Sequence, residues 1–174
     1  MHYAEFKASI ERMAATATPE ARRHFALDTI RLLYQSADAP AREQLTDEEQ
    51  RLLSALMEGV EARPPDELAG VLEALNGSMD RDPVRAVEFH PDITELLCAI
   101  DHWIGYRRSG NPHLIACLAV NRVDSVDYAI GGDVGAYSVK NMLGAPEMVA
   151  EAHRQQRLLL PAEPAAADRG PISG

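Results

Sequence analysis

The stretch from Pro91 to Ile130 leaves this chain little choice of architecture. Ile93, Leu96, Leu97, Ile100, Trp103 and Ile104 recur at the i, i+3, i+4, i+7 spacing of one helix face. Leu114, Ile115, Leu118, Ala119, Val123, Val126 and Ala129 repeat that spacing after the polar turn Arg107-Arg108-Ser109-Gly110-Asn111-Pro112. Asn111 suits the N-cap and Pro112 the first helical position, so the second start is well marked. A connection this short favours antiparallel neighbours, which predicts a central antiparallel helical hairpin.

Nowhere do apolar and polar residues alternate cleanly enough for a strand. The expected fold class is therefore all-α, a single-domain array of about seven helices. At 174 residues the chain is long enough for one real core, and 46% apolar with 25% charged residues is globular rather than disordered composition. We expect a helical domain over residues 1–160 and a flexible C-terminal tail over 161–174.

The pattern places a first helix from Tyr3 to about Ala15. Thr18 caps a second, with Pro19 at its first position, running to about Gln35. Ser36 to Ala41 reads as a loop. Thr46 and Glu49 form a capping box opening a third helix, which Pro64-Pro65 ends. Asp66 opens a short helix that Asn76-Gly77 closes. Asp82-Pro83 suggests a capped helical turn with Val84 and Val87 inward. Gly131-Gly132 breaks the second hairpin helix, Val134 to Leu143 reads as another short one, and Ala145-Pro146-Glu147 starts a last helix reaching about Leu160. Cys98 and Cys117 both fall in the apolar hairpin and read as buried thiols rather than a disulfide.

Charge narrows the function classes. The 17 Lys and Arg against 27 Asp and Glu give a net charge of −10. Between Arg42 and Asp101 stand 15 carboxylates and five arginines, so this segment carries the whole imbalance. Nucleic acid and anionic membrane both require the opposite field, and the expectation is no nucleic acid and no membrane. The longest apolar run, Leu114 to Val120, is seven residues, where a membrane span needs about 20. The charged N-terminus lacks the apolar segment of a signal peptide, so a cytoplasmic protein is expected.

Few residues invite chemistry. Asp101 and His102 are adjacent and project about 100° apart, so they do not grip one ion from one face. Asp124 and Asp127, at i and i+3, share a face and could hold a divalent cation if Glu95 and Asp101 on the partner helix supplied more oxygens. Their plainer reading is a solvated flank with an arginine such as Arg122 nearby. The other histidines lack HExxH spacing, and Gly131-Gly132-Asp133-Val134-Gly135 lacks the GxGxxG order and follows a helix. Arg107-Arg108 suits the negative end of a helix dipole. No catalytic residue, metal ligand or cofactor is assigned.

His24 to Tyr34 resembles the early helix of the all-helical immunity proteins encoded beside bacterial polymorphic toxins. Ala99 to Trp103 and Asn121 to Ile130 resemble their later alanine-rich helices. The resemblance implies a small cytosolic protein that binds a cognate toxin domain and blocks its active site, and it carries over no functional residue. Charge points the same way: a toxin domain attacking nucleic acid is usually basic, and an acidic inhibitor associates with it quickly. The expected function is thus a non-enzymatic, acidic binding protein with a basic protein partner, contacted through Glu48, Glu49, Glu58, Glu61, Asp66 and Glu67. The alternative is a metal-dependent helical hydrolase using Asp124, Asp127, Glu95 and Asp101; a helical adaptor fits the same composition.

Overall fold

In the computed structural model, two long helices form the expected central hairpin and the others pack around it. Residues 2–37, 39–80, 90–131 and 144–160 are described, and among them there are eight helices and no strand. In chain order these are α1 (Tyr3–Thr16), α2 (Pro19–Ser36), α3 (Ala39–Glu43), α4 (Asp47–Gly59), α5 (Pro65–Met79), α6 (Pro91–Ser109), α7 (Pro112–Gly131) and α8 (Pro146–Leu159).

Local chemistry sets most helix ends. Thr18 accepts from Ala21 N at 3.1 Å, with Pro19 leading α2. Thr46 and Glu49 form both bonds of the capping box at the start of α4. His90 caps α6 through its ring nitrogen. At the hairpin turn Gly110 adopts φ +69, the left-handed C-terminal stop that glycine takes without strain. Asn111 Oδ1 then accepts from His113 N at 3.1 Å and opens α7. Close approach of the two helices begins at once: a Cβ on Gly105 would lie 3.0 Å from Leu114 Cδ1.

The α6/α7 hairpin is the most extensive helix pair. Helix α2 lies across both members, α1 and α8 flank α7, and α5 packs on α6 and brings α4 with it. One buried apolar cluster draws on all eight helices. Phe25, Ile30, Leu56, Leu68, Ile100 and Ile115 are among its fully buried members, each worth roughly 1.5–3 kcal/mol of transfer free energy. Among the described residues no helix is long and apolar enough to cross a membrane.

Four expectations need correction. Part of the predicted loop after α2 is the short helix α3. Helix α4 stops at Gly59 rather than at Pro64. Helix α5 runs through Asn76-Gly77 to Met79, because Leu68, Leu72, Leu75 and Met79 form one continuous buried stripe that outweighs the cost of a mid-helix glycine. Cys98 is exposed and Cys117 half-buried, both as free thiols, since each sits beside the apolar seam and not on it. The predicted turn at Asp82-Pro83, the break at Gly132, the helix over 134–143 and the tail over 161–174 lie outside the described residues.

Candidate functional site

The carboxylates gathered on α4 and α5 do not share one fate. Of the ten between Glu43 and Asp80, nine are exposed and one, Glu49, is fully buried. Glu49 closes the α4 capping box with one oxygen and accepts from Ser78 Oγ at 3.1 Å with the other. Its position three residues into the helix turns it inward, so Glu49 leaves the expected contact set. Glu61 takes Arg23 at 2.6 Å and Arg31 at 3.0 Å from α2, and Asp66 takes Arg108 from α6. These exposed pairs contribute little stability but neutralise two of the six candidates. Glu48, Glu58 and Glu67 remain outward with no ion pair among the described residues.

The hairpin carboxylates are arranged differently from the expected metal set. Glu95 on α6 accepts from Asn121 Nδ2 on α7 at 2.7 Å, and Asn121 Oδ1 lies 2.9 Å from His102 Nδ1. Asp124 is half-buried and Asp127 buried, so the pair is no solvated flank. Burial above all, then the charges of Glu95 and Asp127, push the Asp124 carboxyl up to about 6, opposed by Lys7. Burial also raises Glu95, with the Asn121 hydrogen bond opposing it. Tyr3 on α1 is raised by burial and then by Asp124 and Glu95. Asp101 lies elsewhere. Six residues beyond Glu95 it has turned roughly 120° around the helix, where it lines a hollow of ≈ 370 Å³ with Asp80 and Cys98. Among the described residues no group of three or more His, Cys, Asp or Glu could hold a metal ion.

A third polar centre lies between α2, α7 and α8. Arg154 donates to Glu151 through Nε at 2.9 Å and Nη2 at 2.7 Å, to Asp28 at 2.6 Å and to Thr29 at 3.0 Å. Its cation sits over Phe25, 5.5 Å from the ring centroid. Burial opposes its charge most strongly, but the bonds and charges of Glu151 and Asp28 together outweigh that and hold its pKa above the usual value. Gln155 Nε2 joins the Ala119 carbonyl at 3.0 Å to Glu151 at 2.8 Å. Arg122, which was expected near Asp124, points into this centre instead. It donates through Nη1 to Ser36 at 2.8 Å and Ser125 at 3.3 Å, and Ser125 in turn donates to Asp92 at 2.9 Å. Beside these groups is a cleft of ≈ 940 Å³.

Sequence reasoning missed this centre. Glu151 and Arg154 stand at i and i+3, a spacing that suggests a local pair. The partner Asp28 is 126 residues away and leaves no such trace. Comparison with protein-family models, with curated proteins and with solved structures finds no match to the chain.

Proposed function

We propose that this chain is an acidic binding protein of the helical immunity type. In this reading it acts in the bacterial cytoplasm and neutralises a cognate toxin domain by stoichiometric binding, with Glu48, Glu58 and Glu67 at the contact. The observation that carries the proposal is a contrast on the described surface. Nine carboxylates of the α4–α5 segment face outward, whereas Leu160 is the only large apolar side chain exposed among the described residues. Such a surface offers a partner charge rather than grease. Complementary charge accelerates encounter and excludes partners of the wrong sign. Glu61 and Asp66 would join the contact only by exchanging their arginines for the partner's, so they are the weaker members of the set. The resemblance of the helical segments to immunity proteins supplies the class of partner.

The test is affinity capture from the native cell with two baits, the wild-type chain and the Glu48→Lys/Glu58→Lys/Glu67→Lys variant. The proposal expects a basic toxin domain on the wild-type bait only, binding 1:1, with an association rate that falls steeply as salt is raised. Capture of the same protein equally well by both baits, or an association rate indifferent to salt, overturns it.

A further inference from the structure

Cys117 stands in a row of three groups that crosses from α7 to α1. Its Sγ is 3.5 Å from Nε2 of His113, one turn earlier on α7, and Nδ1 of that imidazole lies 3.6 Å from Oε1 of Glu11 on α1. The i, i+4 spacing puts thiol and ring on one helix face, and the packing of α1 against α7 brings the carboxylate to the far side of the ring. Glu11 facing Nδ1 favours the neutral ring's proton there, which leaves Nε2 as the acceptor for the thiol proton. A nucleophile, a base and a group that orients the base thus follow one another. All three reach solvent: the His113 and Glu11 side chains are 56% and 45% exposed, and Cys117 is partly so.

Cys98 is the natural comparison. It is the more exposed thiol, yet it has no such base. His102, four residues on, turns its Nδ1 to Asn121 Oδ1 at 2.9 Å, and among the described residues no hydrogen bond joins it to the Cys98 thiol. Burial, then Glu95 and Asp101, all push the Cys98 thiol up. Burial raises Cys117 as well, with Lys7 lowering it and Glu11 raising it. Both are therefore thiols at neutral pH, and a thiol must lose its proton before it attacks. Only Cys117 has a base in place to take it.

We propose that Cys117 is a mixed-disulfide site for small-molecule disulfides, with His113 as its base and Glu11 as the residue that positions His113. Nε2 of His113 takes the thiol proton as Sγ attacks one sulfur of the disulfide. A new S–S bond forms on Cys117, the old one breaks, and the proton passes to the departing thiolate. Cys117 is oxidised and half of the small molecule leaves as a thiol, so the exchange needs no other reactant. This site lies on α1 and α7, uses none of Glu48, Glu58 and Glu67, and stands or falls separately from the toxin-binding reading.

The Cys98→Ser and Cys117→Ser proteins each keep one thiol, and their rates with the uncharged disulfide dithiodipyridine are read at neutral pH from the thiopyridone released. Cys117 should react about tenfold or more faster than the more exposed Cys98, a modest share of what a positioned base supplies. In the Cys98→Ser background, His113→Gln should remove that advantage. Glu11→Gln separates positioning from plain charge. A carboxylate that acts on the thiol alone holds its pKa up, so its loss would speed the reaction; one that acts through His113 slows it when lost. If His113→Gln loses helix by circular dichroism, the Glu11→Gln result decides. A smaller advantage for Cys117, an unchanged rate in folded His113→Gln, or a Glu11→Gln rate that holds or rises overturns the proposal.

Discussion

The indole N–H of Trp103 donates to the carbonyl of Val60 at 2.8 Å, across 43 residues of sequence and out of contact with water. Val60 is the C-cap of α4, so this bond satisfies one of the carbonyls that every helix end leaves over. It joins the α4/α5 pair directly to the central hairpin.

Trp103→Phe leaves that carbonyl buried without a partner and removes volume from a packed site. We expect a loss of roughly 2–4 kcal/mol in urea unfolding followed by circular dichroism. A change below about 0.5 kcal/mol, the size of a neutral surface substitution, would show that the bond is incidental.

Two neighbouring glutamates should respond in opposite ways. Glu49→Gln alters a buried carboxylate that serves both the α4 cap and Ser78, and should cost roughly 1–2 kcal/mol. Glu48→Gln alters an exposed one and should stay within about 0.5 kcal/mol. Chemical denaturation of both variants reads the difference; equal effects would mean that Glu49 is solvated after all.

Removing Arg154 takes two charged hydrogen bonds from Glu151, which is only 6% exposed in its side chain and keeps Gln155 and, at 3.9 Å, Arg122. Arg154→Met should cost about 3–5 kcal/mol, because a buried carboxylate loses the cation that holds it with two hydrogen bonds. Adding Glu151→Met should restore part of that loss. A double-mutant cycle measures the coupling, and strictly additive losses would rule out an interdependent pair.

Asp124 gives a pH dependence with a definite sign. Its carboxyl lies at about 6 in the folded chain against 3.8 as the ordinary value, so the folded state holds this proton more tightly. The associated stability is fully present below about 3.8 and is lost as pH rises through about 6. Asp124→Asn, which stays neutral, should therefore raise Tm relative to wild type at pH 7.5 and lose that advantage by pH 4. Thermal melts of the two proteins across this range test it, and a Tm difference independent of pH would remove the assignment.

Local signals were legible in the sequence and distant ones were not. The hairpin could be read because its apolar spacing, Gly110 stop and Asn111 cap lie within a few residues of one another. Thr18 and the Thr46–Glu49 box were legible for the same reason. Recognising that box also implied that Glu49 serves its own helix, yet charge composition alone had placed it on the surface. The continuation of α5 past Asn76-Gly77 depends on α4 and α6, the helices it packs against, and no local rule contains those neighbours. Likewise Asp124 looks solvated until α1 and its Tyr3 and Lys7 are brought near it. The arginine centre on α7 and α8 joins residues from distant parts of the chain, and only the tertiary arrangement reveals it.

The link between Ser109 and Pro112 has a kinetic consequence. The two helices with the most extensive contact are joined by only two residues, Gly110 and Asn111, so closing that loop costs little chain entropy. Contacts close in sequence form fastest, which makes α6 and α7 the natural folding nucleus onto which the earlier and later helices condense.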